Sequence, residues 1–458
     1  MVSIELLSNL SSKIISLTQE KNVSEAEFYG KFDDIIQVEI TSNGIGKIVS
    51  RSIGKYALRI AIGKRIGLTY SENIDEKSIP SIVEKAISIT KTAPEDEKWP
   101  GFPRGYSGKG GLKVYDKDLA SITPESLIEF LGEVIDTSID SARKAGALEA
   151  VVTRGYLWIV RSSIYIENSY GDSISGRSTA LSVYYNIYVR NREGDTAYPF
   201  TIQIRRLDKD KIFNKVVETA GLAVKFIGAK SIDSDRYQLL IMPEVHGELV
   251  ETVFSPAVSA YSIQRNRSPL KDRVGEQIFS EDITIYDDPH MDYGFGSRPF
   301  DDEGIMTTSK PLVDNGVFKN IVYDHYTASI EGKKSTGNAV RRRLNSMPTP
   351  TPLNIVFKAR NTEDLESMIS MIRKGIIVFG VIGSWMSNPV NGAIQATITH
   401  GLYVENGEIK YPVKGVVMGG NYYNYLKQDL IALGKDIVNY SHIYAIPILV
   451  DNVPIAGK

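Results

Sequence analysis

Ala150–Arg161 (AVVTRGYLWIVR) and Ser173–Arg190 (SISGRSTALSVYYNIYVR) decide the fold class. Both alternate apolar and polar residues over a dozen or more positions, and both are rich in Val, Ile and Tyr. That is the pattern of long strands with one face buried. Ser163–Asn168 and Thr196–Arg205 extend it, and Gly171-Asp172 and Gly194-Asp195 read as the turns of antiparallel hairpins. Helices flank these strands. Thr123-Pro124-Glu125 starts one, with Thr123 as N-cap and Pro124 at the first helical position, and Gly146 closes it. A second covers about 208–227. Residues 119–234 therefore read as a middle antiparallel α+β unit.

Upstream, 1–93 read as an N-terminal α+β unit. An amphipathic first helix is followed by short strands at 26–29, 35–40, 47–51, 56–62 and 65–70, then a helix at 79–92. Asp33-Asp34, Ser42-Asn43-Gly44, Gly54 and Gly63-Lys64 are the turn signals between the strands. Three prolines and five glycines mark 94–118 as a linker or long loop. Downstream, 235–458 read as a mainly-β domain opening on the strand 237–242. A helical stretch starts at Pro243, and Thr362–Lys374 and Tyr423–Leu433 read as helices. The expected class is α+β, with mixed or antiparallel sheets in the first units.

Lys and Arg number 53 against 55 Asp and Glu, a net charge of −2, so no global field draws the 458-residue chain to nucleic acid or anionic membrane. Direct nucleic-acid binding is not expected. The absence of cysteine removes disulfides, thiolate catalysis and cysteine metal sites. No two of the five histidines are closer than 35 residues, so no H-E-x-x-H helix exists. Phosphate-loop, dinucleotide-binding and nucleophile-elbow motifs are also missing. The most apolar run, Gly375–Gly383, is far short of the ~20 residues of a membrane helix. The expected location is the cytoplasm.

Three places could carry chemistry. In Pro243–Ala260 (PEVHGELVETVFSPAVSA), Val245, Leu249, Val250, Val253 and Phe254 form a core-facing stripe. Glu244, Glu248 and Glu251 share another face, as oxygen ligands for a metal or as a solvated acidic face. His246 lies about 140° around the helix from Glu251, which sets it apart from a shared facial site. The second place holds Asp287, Asp288, His290 and Asp292, then Asp301, Asp302 and Glu303. These could bind a cation or perform acid–base work, but their Gly/Pro-rich setting favours turn structure. The third is two basic runs, Arg265, Arg267, Lys271 and Arg273, and Arg341–Arg343, read as a solvated face or a subunit contact.

The third unit resembles the TldD/PmbA family, known as modulators of DNA gyrase and metalloprotease subunits. The stretches are IYDDP (285–289), RPFDDEG (298–304), LVDNGVFKNIVYD (312–324), STGNAVR (335–341), NPVNGAIQ (388–395), GLYVENGEIKYPVKGVVMGGN (401–421) and the tail VPIAGK. ALRIAIGKRIGLTYS (57–71) is similar to the family's first domain. The resemblance implies two branches. The TldD-like subunit has an HExxxH helix holding a catalytic metal, and the PmbA- or TldE-like subunit lacks it and pairs with the first. The motif falls here on Glu251, Thr252 and Pro256, and the catalytic branch's metal cysteine has no counterpart. The resemblance thus implies a non-catalytic PmbA/TldE-like subunit with no cofactor of its own. Zinc is expected only in a TldD-like partner, the peptide substrate is shared, and the assembly is a heterodimer or homodimer. The alternatives are a metallopeptidase with an atypical site drawn from Glu244, His246, Glu248 and Glu251, and a gyrase- or DNA-associated modulator.

Overall fold

The computed structural model describes residues 2–42 and 44–458; Asn43, within one expected turn, lies outside them. With 41% strand and 26% helix the chain is α+β. Helix α1 (Val2–Glu20) leads into β1 (Glu25–Thr41), β2 (Gly44–Ile62) and β3 (Arg65–Ser71), then α2 (Ile79–Thr92). Next come α3 (Lys117–Ser121), α4 (Pro124–Lys144), β4 (Glu149–Asn168), β5 (Ser173–Asn191), β6 (Gly194–Ile204) and α5 (Lys209–Lys225). The six strands form one antiparallel sheet in the order β3-β2-β1-β4-β5-β6. Strands of the first and middle stretches are thereby joined through the β1–β4 ladder.

The sheet's alternation is the physical cause of its layering. Phe28, Tyr56, Leu58 and Ile60 pack under α1 and α2, and Ile36, Val38, Leu157, Ile159, Leu181 and Val183 pack under α4 and α5. Two expected breaks are absent. Asp33-Asp34 lies inside β1, because Asp33 accepts from Ser162 Oγ at 2.5 Å with Lys31 at 3.2 Å, and Ser52 donates to Asp34. Gly54 lies inside β2, where a Cβ would come within 2.6 Å of Ile74. Glycine there serves close approach, not a turn.

Thr123 caps α4 as expected: its hydroxyl accepts the Ser126 N–H, and Ser126 Oγ returns a bond to the Thr123 N–H at 3.2 Å. Thr123→Ala removes the hydroxyl half of this pair and is expected to cost about 1 kcal/mol in urea unfolding. A loss below about 0.3 kcal/mol would show that sheet packing alone holds the helix start.

From β7 (Asp235–Ile241) onward the chain is mainly strand. An eight-stranded and a six-stranded mixed sheet enclose the largest apolar cluster. Two helix readings are corrected. Within Thr362–Lys374 only Leu365–Ser370 is helical, capped by Asp364, and Lys374 starts a strand. Within Tyr423–Leu433, one turn at Tyr422–Tyr425 precedes the strand Leu430–Gly434, which pairs with Ile448–Ala456. Short apolar runs carry no reliable period, and tertiary pairing decides them.

Candidate functional site

Helix α6 (Pro243–Leu249) bridges the two mixed sheets, packing on Lys374–Ile382 of one and on Val438–Tyr440 and Ile443–Ala445 of the other. Its expected apolar stripe, Val245, Leu249, Val250, Val253 and Phe254, is fully buried. Each such side chain contributes about 1.5–3 kcal/mol by leaving water. At Val250–Phe254 the helix widens into a π turn, and the Ser255 N–H reaches back to the Val250 carbonyl. Pro256 gives the reason. It has no N–H for a regular i→i−4 bond, so the turn before it is free to widen.

The candidate ligands on this helix diverge. Glu244 accepts from Lys215 Nζ at 3.2 Å. Glu248 takes a short bond from Ser384 Oγ, and burial raises its pKa. Glu251 meets His442 Nε2 at 3.2 Å. Burial opposes the Glu251 charge, but the His442 hydrogen bond and charge, with Arg342, bring its pKa below the usual value. Thr252 donates its hydroxyl to the Glu248 carbonyl at 2.9 Å. His246 is wholly buried: Nδ1 lies 2.8 Å from the Ile446 carbonyl and Nε2 3.1 Å from the Tyr422 hydroxyl. The carbonyl can only accept, so Nδ1 carries the proton and Nε2 accepts from Tyr422. Burial pushes the His246 pKa down to about 4. Among the described residues, no three His, Cys, Asp or Glu side chains gather as a metal-ion cluster. The donor set at 251, 252 and 256 does not fit a catalytic zinc. Thr252 is committed to the backbone, and proline offers no ligand atom.

The second acidic place is dispersed. Asp287 is buried, accepting from the backbone of Leu353 and Asn354 and from Asn338, with Lys310 at 3.0 Å. Asp288 accepts from the His290 N–H, and Asp292 pairs with Lys113. Asp301, Asp302 and Glu303 enter a buried network with residues that sequence reasoning missed. Glu27 on β1 faces Arg59 on β2, and the guanidinium grips the carboxylate at 2.9 and 2.6 Å. The same arginine reaches Glu303 at 3.3 Å. Arg341 also binds Glu27, at 2.5 Å, while its backbone N–H donates to Asp302 at 2.7 Å. Arg298 closes on Asp302 at 3.1 Å. Asp301 accepts the backbone N–H groups of Glu303, Ile305 and Ala339. This corrects the reading of Arg341 as part of a solvated face: its side chain is 2% exposed. The run 265–273 is more open: Arg265 stacks on Tyr261 and Arg273 pairs with Glu276. Glu27 and Arg59 had one sequence signal, a lone charge inside the apolar runs AEFYG and ALRIAIG.

A long-stranded antiparallel sheet is thus clasped by buried charges to a mixed two-sheet module. Residues 234–457 match the family model described as the PmbA/TldA metallopeptidase C-terminal domain. An uncharacterised protein of Methanocaldococcus jannaschii is 32% identical over 384 residues, 83% of this chain and 84% of that one. A Metalloprotease PmbA homolog of Haemophilus influenzae is 26% identical over 450 residues, 95% and 91% of the two chains. The crystal structure of TldE from Thermococcus kodakarensis superposes with a TM-score of 0.86 at 26% identity, covering 98% of this chain and 100% of that one. The chain belongs to the TldD/PmbA family. No helix among the described residues is long and apolar enough to cross a membrane.

Proposed function

We propose that this chain is the non-catalytic, TldE-like subunit of a cytoplasmic metalloprotease that processes unfolded peptides. Its role is to complete the assembly around a TldD-like subunit that carries the zinc. The observation that carries this reading is the π turn at Val250–Phe254 with Thr252 and Pro256 at two motif positions. Threonine is no carboxylate general base, and a glutamate held by His442 is one donor where three are needed. The likeness to a chain named TldE supports the branch. The four candidates of the atypical-site alternative point to four different partners, which favours the subunit reading over it.

The test is to purify the chain alone, equilibrate it with zinc, and measure metal per chain and hydrolysis of an unstructured peptide. Less than about 0.1 zinc and no hydrolysis are expected, with hydrolysis appearing when a family chain bearing HExxxH is added. One zinc per chain with hydrolysis by the chain alone, both lost in Glu251→Ala, would overturn the reading.

A further inference from the structure

The helix-covered face of the six-stranded sheet has a gap in its cover. Phe28 lies under α1 and α2, Ile36 and Val38 lie under α4 and α5, and Asp34 falls between the two helix pairs on the same face. A cleft of about 530 Å³ opens there, between β1, the stretch of β2 that β3 leaves unpaired, and the loop joining α3 to α4. That volume is in the range of small-molecule sites. Asp34 stands directly opposite Arg161 in the β1–β4 ladder, which sets their Cβ atoms about 5 Å apart. Unlike charges so placed ordinarily close on each other through a charge-assisted bond. These two do not. Asp34 accepts the neutral Ser52 hydroxyl. Arg161 spends Nη2 on the Ile122 carbonyl at 2.6 Å, and its Nε–H has no partner. Among the described residues neither enters an ion pair. Each charge is therefore held by a neutral group and faces the cleft with its counter-charge unmet.

We propose that this cleft binds a free α-amino acid with an apolar side chain. Its ammonium meets Asp34, its carboxylate meets Arg161 with the exposed Arg51 at the rim, and its side chain lies on Ile36, Ile122 and Pro124. The charge pattern selects this class. Asp34 repels a simple anion, and the two arginines repel a simple cation. A zwitterion satisfies both signs within one small molecule. The start of α4 does not make the site, because Thr123 and Ser126 already satisfy each other there. The cleft shares no residue with α6, so the assignment stands independently of the function proposed above.

The experiment is calorimetric titration of the full chain with L-leucine, glycine, N-acetyl-leucine and leucinamide. Leucine is expected to bind with a Kd of about 10⁻⁴ M, and each of the other three at least 10-fold more weakly. N-acetyl-leucine lacks the ammonium, leucinamide lacks the carboxylate and glycine lacks the apolar side chain. Two variants assign the ends. Asp34→Asn should weaken leucine about 10-fold and leave N-acetyl-leucine unchanged, while Arg161→Gln should weaken leucine and leave leucinamide unchanged. A general loss of fold cannot produce that crossed pattern. If a variant does not fold, the four ligands on the wild type decide the matter alone. The site is overturned if leucine binds the wild type more weakly than about 10 mM, if N-acetyl-leucine and leucinamide bind as well as leucine, or if both variants bind leucine at full strength. Glycine binding as tightly as leucine would overturn the apolar assignment.

Discussion

Glu27→Leu is expected to lower the free energy of unfolding by about 3–5 kcal/mol, read as a fall in the urea midpoint at unchanged slope. Glu27 is the hub of the buried network. Its carboxylate holds the Arg59 fork and the Arg341 guanidinium together, and the side chain itself is wholly buried. Leucine has a similar volume, so no cavity dominates the loss. What remains is two buried cations. Arg59 keeps only the longer bonds to Glu303 at 3.3 Å, and the Arg341 guanidinium keeps a carbonyl of Ser346 at 3.4 Å. The cost is that of buried charges stripped of their closest counter-charge, not the modest net worth of an intact pair. Glu27→Gln retains the shape and one acceptor, and should lose about half as much. A Glu27→Leu loss under about 1 kcal/mol would mean that water or Asp302 takes over both cations.

That network also shows where sequence reading stops. RPFDDEG and STGNAVR were legible as family stretches, yet local chemistry made them turns and solvated charge. The counter-charge of Arg341 sits on β1, more than three hundred residues away in sequence. Asp33-Asp34 failed in the same way, since its compensation comes across strands from Ser162, Lys31 and Ser52. Features set within a few residues were legible. The Thr123 cap, the alternation of β4 and β5 and the apolar stripe of α6 all stand where expected. The candidate helix was legible as an element, but its π turn was not. Pro256 announces a defect without saying whether the helix kinks, ends or widens.

Lowering the pH from 7 to 4.5 is expected to destabilise the wild type more than His246→Asn, by about 2–3 kcal/mol. The sign follows from where each state binds the proton. An unfolded histidine titrates near ~6.5, whereas buried His246 titrates at about 4. Between those values the unfolded chain takes up a proton that the folded chain refuses, so stability falls as pH falls through this window and is flat above it. Asparagine does not titrate and can still donate to the Ile446 carbonyl. At pH 7 the variant should be the weaker protein by about 1–2 kcal/mol, from the lost Tyr422 bond and the lost packing on Phe357. The two stabilities should converge near pH 5 and cross below it. Urea unfolding at pH 7, 6, 5 and 4.5 gives the comparison directly, and parallel curves would mean that His246 is reached by solvent. The crossing bears on function as well. A histidine kept neutral, with Nδ1–H on a carbonyl and the Nε2 lone pair on a tyrosine hydroxyl, has no electron pair left for a metal. Recruiting it as a ligand would require breaking the Tyr422 bond inside the core.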